Sequence, residues 1–193
     1  MKLYPPLTKN VRGVSFFYLF MIYFDLDGVL VNFEDWALSK NSKVFDSDFQ
    51  MVSTLLQHYK EAFKDCEPFQ KGLNLYGRNK DYQPKILSSL PSREAFLKYY
   101  PYLAASYKES GKMLDIDYIF KTFAENKIEW CKKWLKLPKE RVILVSKHTD
   151  KLKHCQPKDV LYDDNPYTIE SWRKCGGVGV LLNYGKQQWK RAA

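Results

Sequence analysis

The sequence predicts an α/β fold with a doubly wound, five-stranded parallel sheet. Short apolar runs that are typical of buried strands alternate along the chain with amphipathic patterns of helical period. Such alternation is typical of a parallel sheet with helices on both faces. Turn and cap residues at the ends of these runs separate the elements. The first predicted strand begins at residue 22 and ends in the acids at 25 and 27, and the other four span residues 82–89, 141–145, 159–164 and 178–182.

The composition is typical of one globular domain. The 193 residues are 45% hydrophobic and 16% aromatic, which suits a chain that buries a sizeable core. Lys and Arg number 31 against 22 Asp and Glu, so the formal net charge is +9. This charge favours anionic partners such as nucleotides, phosphate esters or nucleic acid, and a basic surface without such a partner is an equal alternative.

The cysteines argue against a zinc site and against a secreted disulfide framework. They lie far apart in the sequence and form no Cys-x-x-Cys pair. We therefore predict reduced thiols in a cytoplasmic protein. The four residues are Cys66, Cys131, Cys155 and Cys175.

Residues 1–13 are predicted to be a disordered or variable leader. The apolar run 14–24 that follows has no small-residue cleavage site, which argues against a signal peptide. It is also too short to span a bilayer as a helix, so no membrane association is expected. Met21 is an alternative start, because a complete strand begins there.

Helical periodicity predicts helices over 32–38, 48–64 and 115–137, and further helices that begin near residues 91 and 166. The helix over 115–137 has the clearest apolar face. Residues 71–81 are polar and contain glycine, so they are predicted to be a loop. The aromatic segment 99–112 is not assigned.

The first predicted strand ends in acidic residues. It ends in Asp25-Leu26-Asp27-Gly28-Val29, and alternation along a strand lets Asp25 and Asp27 share one face. Gly28 permits a sharp turn directly after them. Two close carboxylates favour a hard cation such as Mg²⁺ between them.

Two other predicted strands also end in polar side chains. The second ends in Ser88-Ser89 and the fourth in Asp163-Asp164. Parallel strands share one carboxyl edge, where open α/β sheets bind their ligands. We therefore expect the three polar strand ends to converge there.

The order of these motifs resembles that of the haloacid dehalogenase-like (HAD) phosphohydrolases, in which Asp-x-Asp, Ser or Thr, Lys and paired acids follow one another. The resemblance covers most of residues 22–182. It is closest to the 5'(3')-deoxyribonucleotidase-like branch, which has the pattern seen here in Asp163-Asp164-Asn165-Pro166, Trp172 and Gly176-Gly177. It implies a Rossmann-like core domain of residues 14–32 and 85–193, with a small helical cap formed by residues 33–84.

The resemblance also implies roles for the acids. Asp25 would be the nucleophile that forms an aspartyl-phosphate. Asp27 would be the general acid and then the base, and its backbone carbonyl would bind Mg²⁺. Asp163 would be the further acidic metal ligand together with Asp25. Asp164 would either bind the metal in place of Asp163 or lie behind Asp163 without contacting the metal.

The phosphate-binding residues and the cap residues are implied less directly. Ser88 is the first choice for the hydroxyl that binds the phosphoryl group, and Ser89 is the alternative. Lys151 is the first choice for the family's lysine, because Thr149-Asp150-Lys151 resembles its motif, and Lys147 is the second. A solvated surface charge is nearly as good an interpretation of either lysine. Two cap aromatics could stack on a nucleobase, with core packing as the alternative: Phe33 and Trp36.

The expected function is that of a Mg²⁺-dependent phosphomonoesterase acting on a small phosphorylated metabolite, above all a (deoxy)nucleoside monophosphate. One alternative keeps the chemistry and makes the substrate a nucleic-acid end. Another alternative is a degenerate HAD domain that binds a ligand without catalysing a reaction. Two departures from the family's pattern leave it open: Ser stands in place of the commoner Thr in the second motif, and more than one lysine could be the family's lysine. Dimers are common in such families, so a homodimer is one expectation for the assembly.

Overall fold

The computed structural model describes residues 20–40, 47–109 and 115–184, with the backbone alone for 104–109. The predicted leader 1–13, and residues 14–19 and 185–193 of the predicted core domain, lie outside the described residues. Five parallel strands form one sheet, as predicted: β1 (Ile22–Phe24), β2 (Lys85–Ser89), β3 (Val142–Val145), β4 (Val160–Asp163) and β5 (Val178–Leu181). The α-helices are α1 (Phe33–Lys40), α2 (Asp48–Gln57), α3 (Gln70–Arg78), α4 (Arg93–Glu109), α5 (Ile116–Leu135) and α6 (Pro166–Lys174).

The strand order is β3-β2-β1-β4-β5. The chain runs outward from β1 through β2 to β3, and then crosses to β4 on the other side of β1. The order therefore reverses between β1 and β4, which is where parallel α/β sheets open a crevice at the carboxyl ends of their strands. This topology is consistent with a Rossmann-like fold.

Alternation along the strands divides the core between the two faces of the sheet. Ile22 and Phe24 face the larger hydrophobic cluster. Tyr23 faces the smaller one, where it packs with Ile169 and Trp172 of α6. Because both faces are covered, the strands are nearly continuous apolar runs, as is usual for parallel sheets.

The segment 33–84, predicted to be a cap, packs against the same core as the sheet. Its buried side chains Val52, Leu55, Phe63 and Tyr76 belong to the larger cluster. The cap as a separate unit stays a prediction. No helix among residues 20–40, 47–109 and 115–184 has the length and hydropathy needed to cross a membrane.

Two secondary-structure predictions in this half of the chain differ from the structure. The predicted loop 71–81 is mostly helix α3, because tertiary packing overrides the low helix propensity of its polar residues and glycines. The predicted helix 48–64 ends at Gln57, and turns follow as far as residue 65. The buried amide of Asn126 donates hydrogen bonds to the carbonyls of Tyr59 and Ala62 in these turns, so those carbonyls are satisfied without a helix. The unassigned segment 99–112 is helical as far as Glu109.

Gly72 is the position where α3 touches the turn after β1. A Cβ on Gly72 would overlap the backbone carbonyl of Val29. We expect Gly72→Ala to lower the free energy of unfolding by roughly 2 to 4 kcal/mol, because backbone on both sides must move. Urea denaturation of the purified protein measures this change.

Gly77 on the same helix provides the matched control. A Cβ there meets nothing within 4 Å, so Gly77→Ala should leave stability unchanged or raise it by up to about 1 kcal/mol. Equal destabilisation by both substitutions would contradict the close approach of α3 to Val29.

Candidate functional site

The acids that follow β1 and β4 lie side by side at the carboxyl edge of the sheet. The register pairs Phe24 with Tyr162, and the Asp25 N–H donates to the Tyr162 carbonyl at 2.9 Å. The next residues along the two strands are therefore neighbours. Asp25, Asp163 and Asp164 each offer a carboxylate oxygen, and these atoms all lie within 4.8 Å of one another.

Lys151 joins two of these carboxylates. Its Nζ lies 2.8 Å from Asp25 Oδ2 and 2.7 Å from Asp163 Oδ2, and the residue is only 1% exposed. Burial by itself would lower the pKa of Lys151, but Asp25 and Asp163 outweigh it and the pKa is raised. The ammonium is therefore held in its charged form between the acids.

The second lysine candidate lies outside this cluster. The side chain of Lys147 is 57% exposed and its Nζ contacts Glu94 Oε1 at 2.5 Å. The short 3-10 helix His148–His154 follows Lys147 and carries Lys151 inward. Lys147 therefore lies at the surface, whereas Lys151 reaches the buried acids.

Asp163 is fully buried, and its two oxygens are bound differently. Oδ2 accepts from Lys151, and Oδ1 accepts from the Asn165 N–H at 2.8 Å. Burial and the nearby charge of Asp25 raise the pKa of Asp163, although Lys151 acts in the opposite direction. A further cation near this carboxylate would relieve the repulsion between the acids.

A tight turn directs Asp27 toward the same edge. Gly28 adopts φ +74°, and the Leu26 carbonyl accepts the N–H groups of Leu30 and Val31, both at 2.8 Å. Asp25 Oδ1 accepts the Leu26 N–H at 2.8 Å, which fixes the orientation of that carboxylate. These backbone hydrogen bonds fix the turn that carries Asp27, and one of them orients the Asp25 carboxylate.

A second buried lysine, which was not among the predicted site residues, contacts Asp27. Lys127 of α5 is 1% exposed, and its Nζ lies 2.5 Å from Asp27 Oδ2. The same Nζ donates to the Ser89 carbonyl at 2.8 Å and to Ser88 Oγ at 3.2 Å. It also lies 4.4 Å from the centre of the Phe63 ring, a cation–π contact. Lys127 thus joins the first and second motifs.

The position of Lys127 in the sequence indicates that its side chain is buried. Lys127 follows Phe123 by four residues and precedes Cys131 by four, so helical spacing puts it on the buried face of α5. A lysine at such a position is buried only if its charge is paired. The identity of the partner depends on the turn after β1, which helical periodicity does not reveal.

The two oxygens of the Asp27 carboxylate have different surroundings. The side chain as a whole is 34% exposed, but Oδ1 is covered and has no hydrogen-bond partner among the described residues. Burial raises the pKa of Asp27, and the adjacent Lys127 opposes this change. A covered oxygen of this kind is satisfied when it carries a proton or meets a ligand.

The remaining predicted site residues fall into two groups. Ser88 is fully buried with its hydroxyl at Lys127, whereas Ser89 contributes its carbonyl to that lysine. Phe33 stacks on Phe63 and Trp36, with ring centres 5.0 and 5.4 Å apart, and Trp36 is only 6% exposed. The Trp36 ring therefore packs in the core, and a contact of Phe33 or Trp36 with a nucleobase stays a prediction.

The donor set suits a small, hard divalent cation. Asp25, Asp163 and Asp164 supply only oxygen atoms, which Mg²⁺ prefers, and Mg²⁺ binds through few carboxylates while keeping several waters. These residues could hold such an ion. No family model matches this chain, and no curated protein is significantly similar to it.

Proposed function

We propose that this protein is a Mg²⁺-dependent phosphomonoesterase of the HAD type. One observation carries the proposal. At the carboxyl ends of two adjacent parallel strands, a buried ammonium, Lys151, lies between Asp25 and Asp163, and Asp164 adds a third carboxylate. A nucleophilic carboxylate, a fixed cation and an oxygen-only metal site are the groups that phosphoryl transfer through an aspartate requires.

Asp25 is the nucleophile in this proposal. Its carboxylate is oriented by the Leu26 N–H and by Lys151, so little reorganisation is needed before reaction. Asp25 attacks phosphorus, the bond from phosphorus to the alcohol oxygen breaks, and an aspartyl-phosphate forms. Water then attacks phosphorus, and this releases phosphate and the free carboxylate. Mg²⁺ held by the three acids would offset the repulsion between carboxylate and phosphate.

Asp27 is the proton donor and acceptor. Lys127 binds Oδ2 and so orients the carboxyl group. The carboxyl group gives a proton to the leaving alcohol oxygen and later takes one from the attacking water, which makes both steps general acid–base catalysed. Ser88 presents its hydroxyl to the transferred phosphoryl group, beside Lys127.

The first test is the release of phosphate from an aryl phosphate. We expect turnover with Mg²⁺, a fall to below about 1% in excess EDTA, and recovery when Mg²⁺ is restored. Rapid acid quenching followed by intact mass spectrometry should reveal a chain heavier by one phosphoryl group. Turnover that is equal with and without EDTA would contradict the metal requirement, and no turnover with any phosphate ester would favour the binding module.

The particular substrate class we propose is the (deoxy)nucleoside monophosphates. The support is the resemblance of the motifs to the deoxyribonucleotidase-like branch and the net charge of +9, which favours anionic ligands. A panel of 5'- and 3'-nucleoside monophosphates, sugar phosphates and a 5'-phosphorylated oligonucleotide tests this class. Preference for the oligonucleotide, with a rate that falls steeply with salt, would instead favour a nucleic-acid end phosphatase.

A further inference from the structure

Two cysteines that are 20 residues apart in the sequence meet at the carboxyl end of α6. Cys155 directly follows the 3-10 helix His148–His154, and Cys175 is the residue at which α6 ends. The Cys155 side chain packs against the end of α6, where Cys175 lies. Both residues also contact the Trp172 carbonyl, which lies 3.6 Å from Cys155 Sγ and 3.2 Å from the Cys175 backbone nitrogen.

The backbone after α6 leaves room for the two sulfur atoms. Gly176 adopts φ +87° and reverses the chain toward β5. A Cβ on Gly177 would lie 2.9 Å from Cys155 Sγ and would overlap the Trp172 ring. Because Gly177 has no side chain, the Cys155 thiol can occupy the space beneath the turn that follows Cys175.

The two thiols differ in access to solvent, and both differ from the other cysteines. Cys175 is exposed and Cys155 is partly exposed, whereas Cys66 and Cys131 are buried. Burial, together with Cys175, raises the pKa of Cys155 to about 11. Cys155 is therefore a neutral thiol at physiological pH, and the exposed Cys175 is the thiol that meets a dissolved oxidant first.

We propose that Cys155 and Cys175 form a reversible disulfide, a redox site separate from the acidic cluster at the strand ends. With hydrogen peroxide as oxidant, the Cys175 sulfur attacks one peroxide oxygen, becomes a sulfenic acid and releases water. The Cys155 sulfur then attacks the sulfenic sulfur, the S–S bond forms and a second water leaves. Two electrons and two protons pass to the peroxide, and a dithiol such as dithiothreitol returns them.

The disulfide would affect the part of the chain that carries the acids. The loop that it closes contains β4 together with Asp163 and Asp164, and its first residue adjoins the helical turn that holds Lys151. Closing a loop of this length restricts the unfolded chain and stabilises the fold. We expect the oxidised protein to melt roughly 5 °C or more above the reduced protein.

The experiment treats the full chain with a small excess of hydrogen peroxide, blocks free thiols by alkylation and measures the intact mass. We expect the loss of two hydrogens and of two alkylation sites, both reversed by dithiothreitol. Trypsin digestion should then yield peptide 154–158 linked to the peptide that begins at Cys175. Neither Cys155→Ser nor Cys175→Ser should lose the two hydrogens, whereas Cys66→Ala should still lose them.

Added oxygen atoms without a linked peptide would overturn the proposal, as would a linked peptide that contains Cys66 or Cys131. Peptide mapping of the unsubstituted protein gives this answer even if a variant fails to fold. Phosphatase activity is not part of the measurement, so the result does not depend on the proposed function.

Discussion

Replacing Asp25 with Asn is expected to abolish phosphate release, with kcat reduced by at least roughly four orders of magnitude. Asn has nearly the same shape as Asp and can still accept the Leu26 N–H through its oxygen. It has no anionic oxygen to attack phosphorus, so the aspartyl-phosphate cannot form. The measurement is steady-state hydrolysis of an aryl phosphate, with the phosphorylated chain sought by mass spectrometry.

Asp65→Asn serves as the matched control for Asp25→Asn. Asp65 is exposed and lies outside the acidic cluster, so this variant should keep the activity of the unsubstituted protein. It also reports any contaminating phosphatase that survives purification. If Asp25→Asn keeps more than a small fraction of the control's activity, Asp25 is not the nucleophile and the proposed mechanism fails.

Lys127→Met is the second substitution with a large expected effect. The side chain keeps its approximate length but loses the charge that contacts Asp27 Oδ2, Ser88 Oγ and the Ser89 carbonyl. Without it, Asp27 is free to turn away from the leaving oxygen, and the Ser88 hydroxyl loses its partner. We expect kcat/KM to fall by about two to three orders of magnitude, the size of the loss of a charged hydrogen-bond network.

The dependence on the leaving group separates a positioning role of Lys127 from a structural one. An aryl phosphate with an acidic phenol needs little help from a proton donor, whereas an alkyl phosphate needs a great deal. Lys127→Met should therefore harm the alkyl phosphate more than the aryl phosphate. An equal loss for both, with a lowered Tm, would mean that Lys127 supports the fold and does not position Asp27.

Lys132→Met on the same helix is the control for charge and helix composition. Lys132 is exposed, so its replacement should change neither kcat/KM nor its dependence on the leaving group. A loss comparable to that of Lys127→Met would assign the effect to the overall positive charge, which attracts anions nonspecifically.

Much of the fold could be predicted because its signals are local. The apolar run before Asp25 and the β-branched run of β3 were predicted as strands, and their bounds differ from the structure by only a few residues. Asp115 and Asn165 cap α5 and α6 through side-chain hydrogen bonds to the first backbone N–H groups, as cap residues do. Each of these signals depends on residues within one or two turns.

The errors occurred where distant contacts outweigh local preference. The polar, glycine-containing segment of α3 is helical because Gly72 packs against the turn after β1. The turns after α2 are held by Asn126, which lies more than sixty residues further along the chain. Local periodicity contains no information about either contact.

Local patterns were enough to predict the parallel sheet and the acids at its strand ends, because strand patterns and turn residues act over short distances. Which basic groups meet those acids depends on how the helices pack on the sheet. Lys151 and Lys147 are four residues apart in the same polar stretch of sequence. Lys151 is nevertheless buried between carboxylates, whereas Lys147 pairs with Glu94 at the surface. Lys127 reaches Asp27 from a helix one hundred residues away. The physical reason is that a buried charge is stable only beside its partner, and the fold alone brings such partners together.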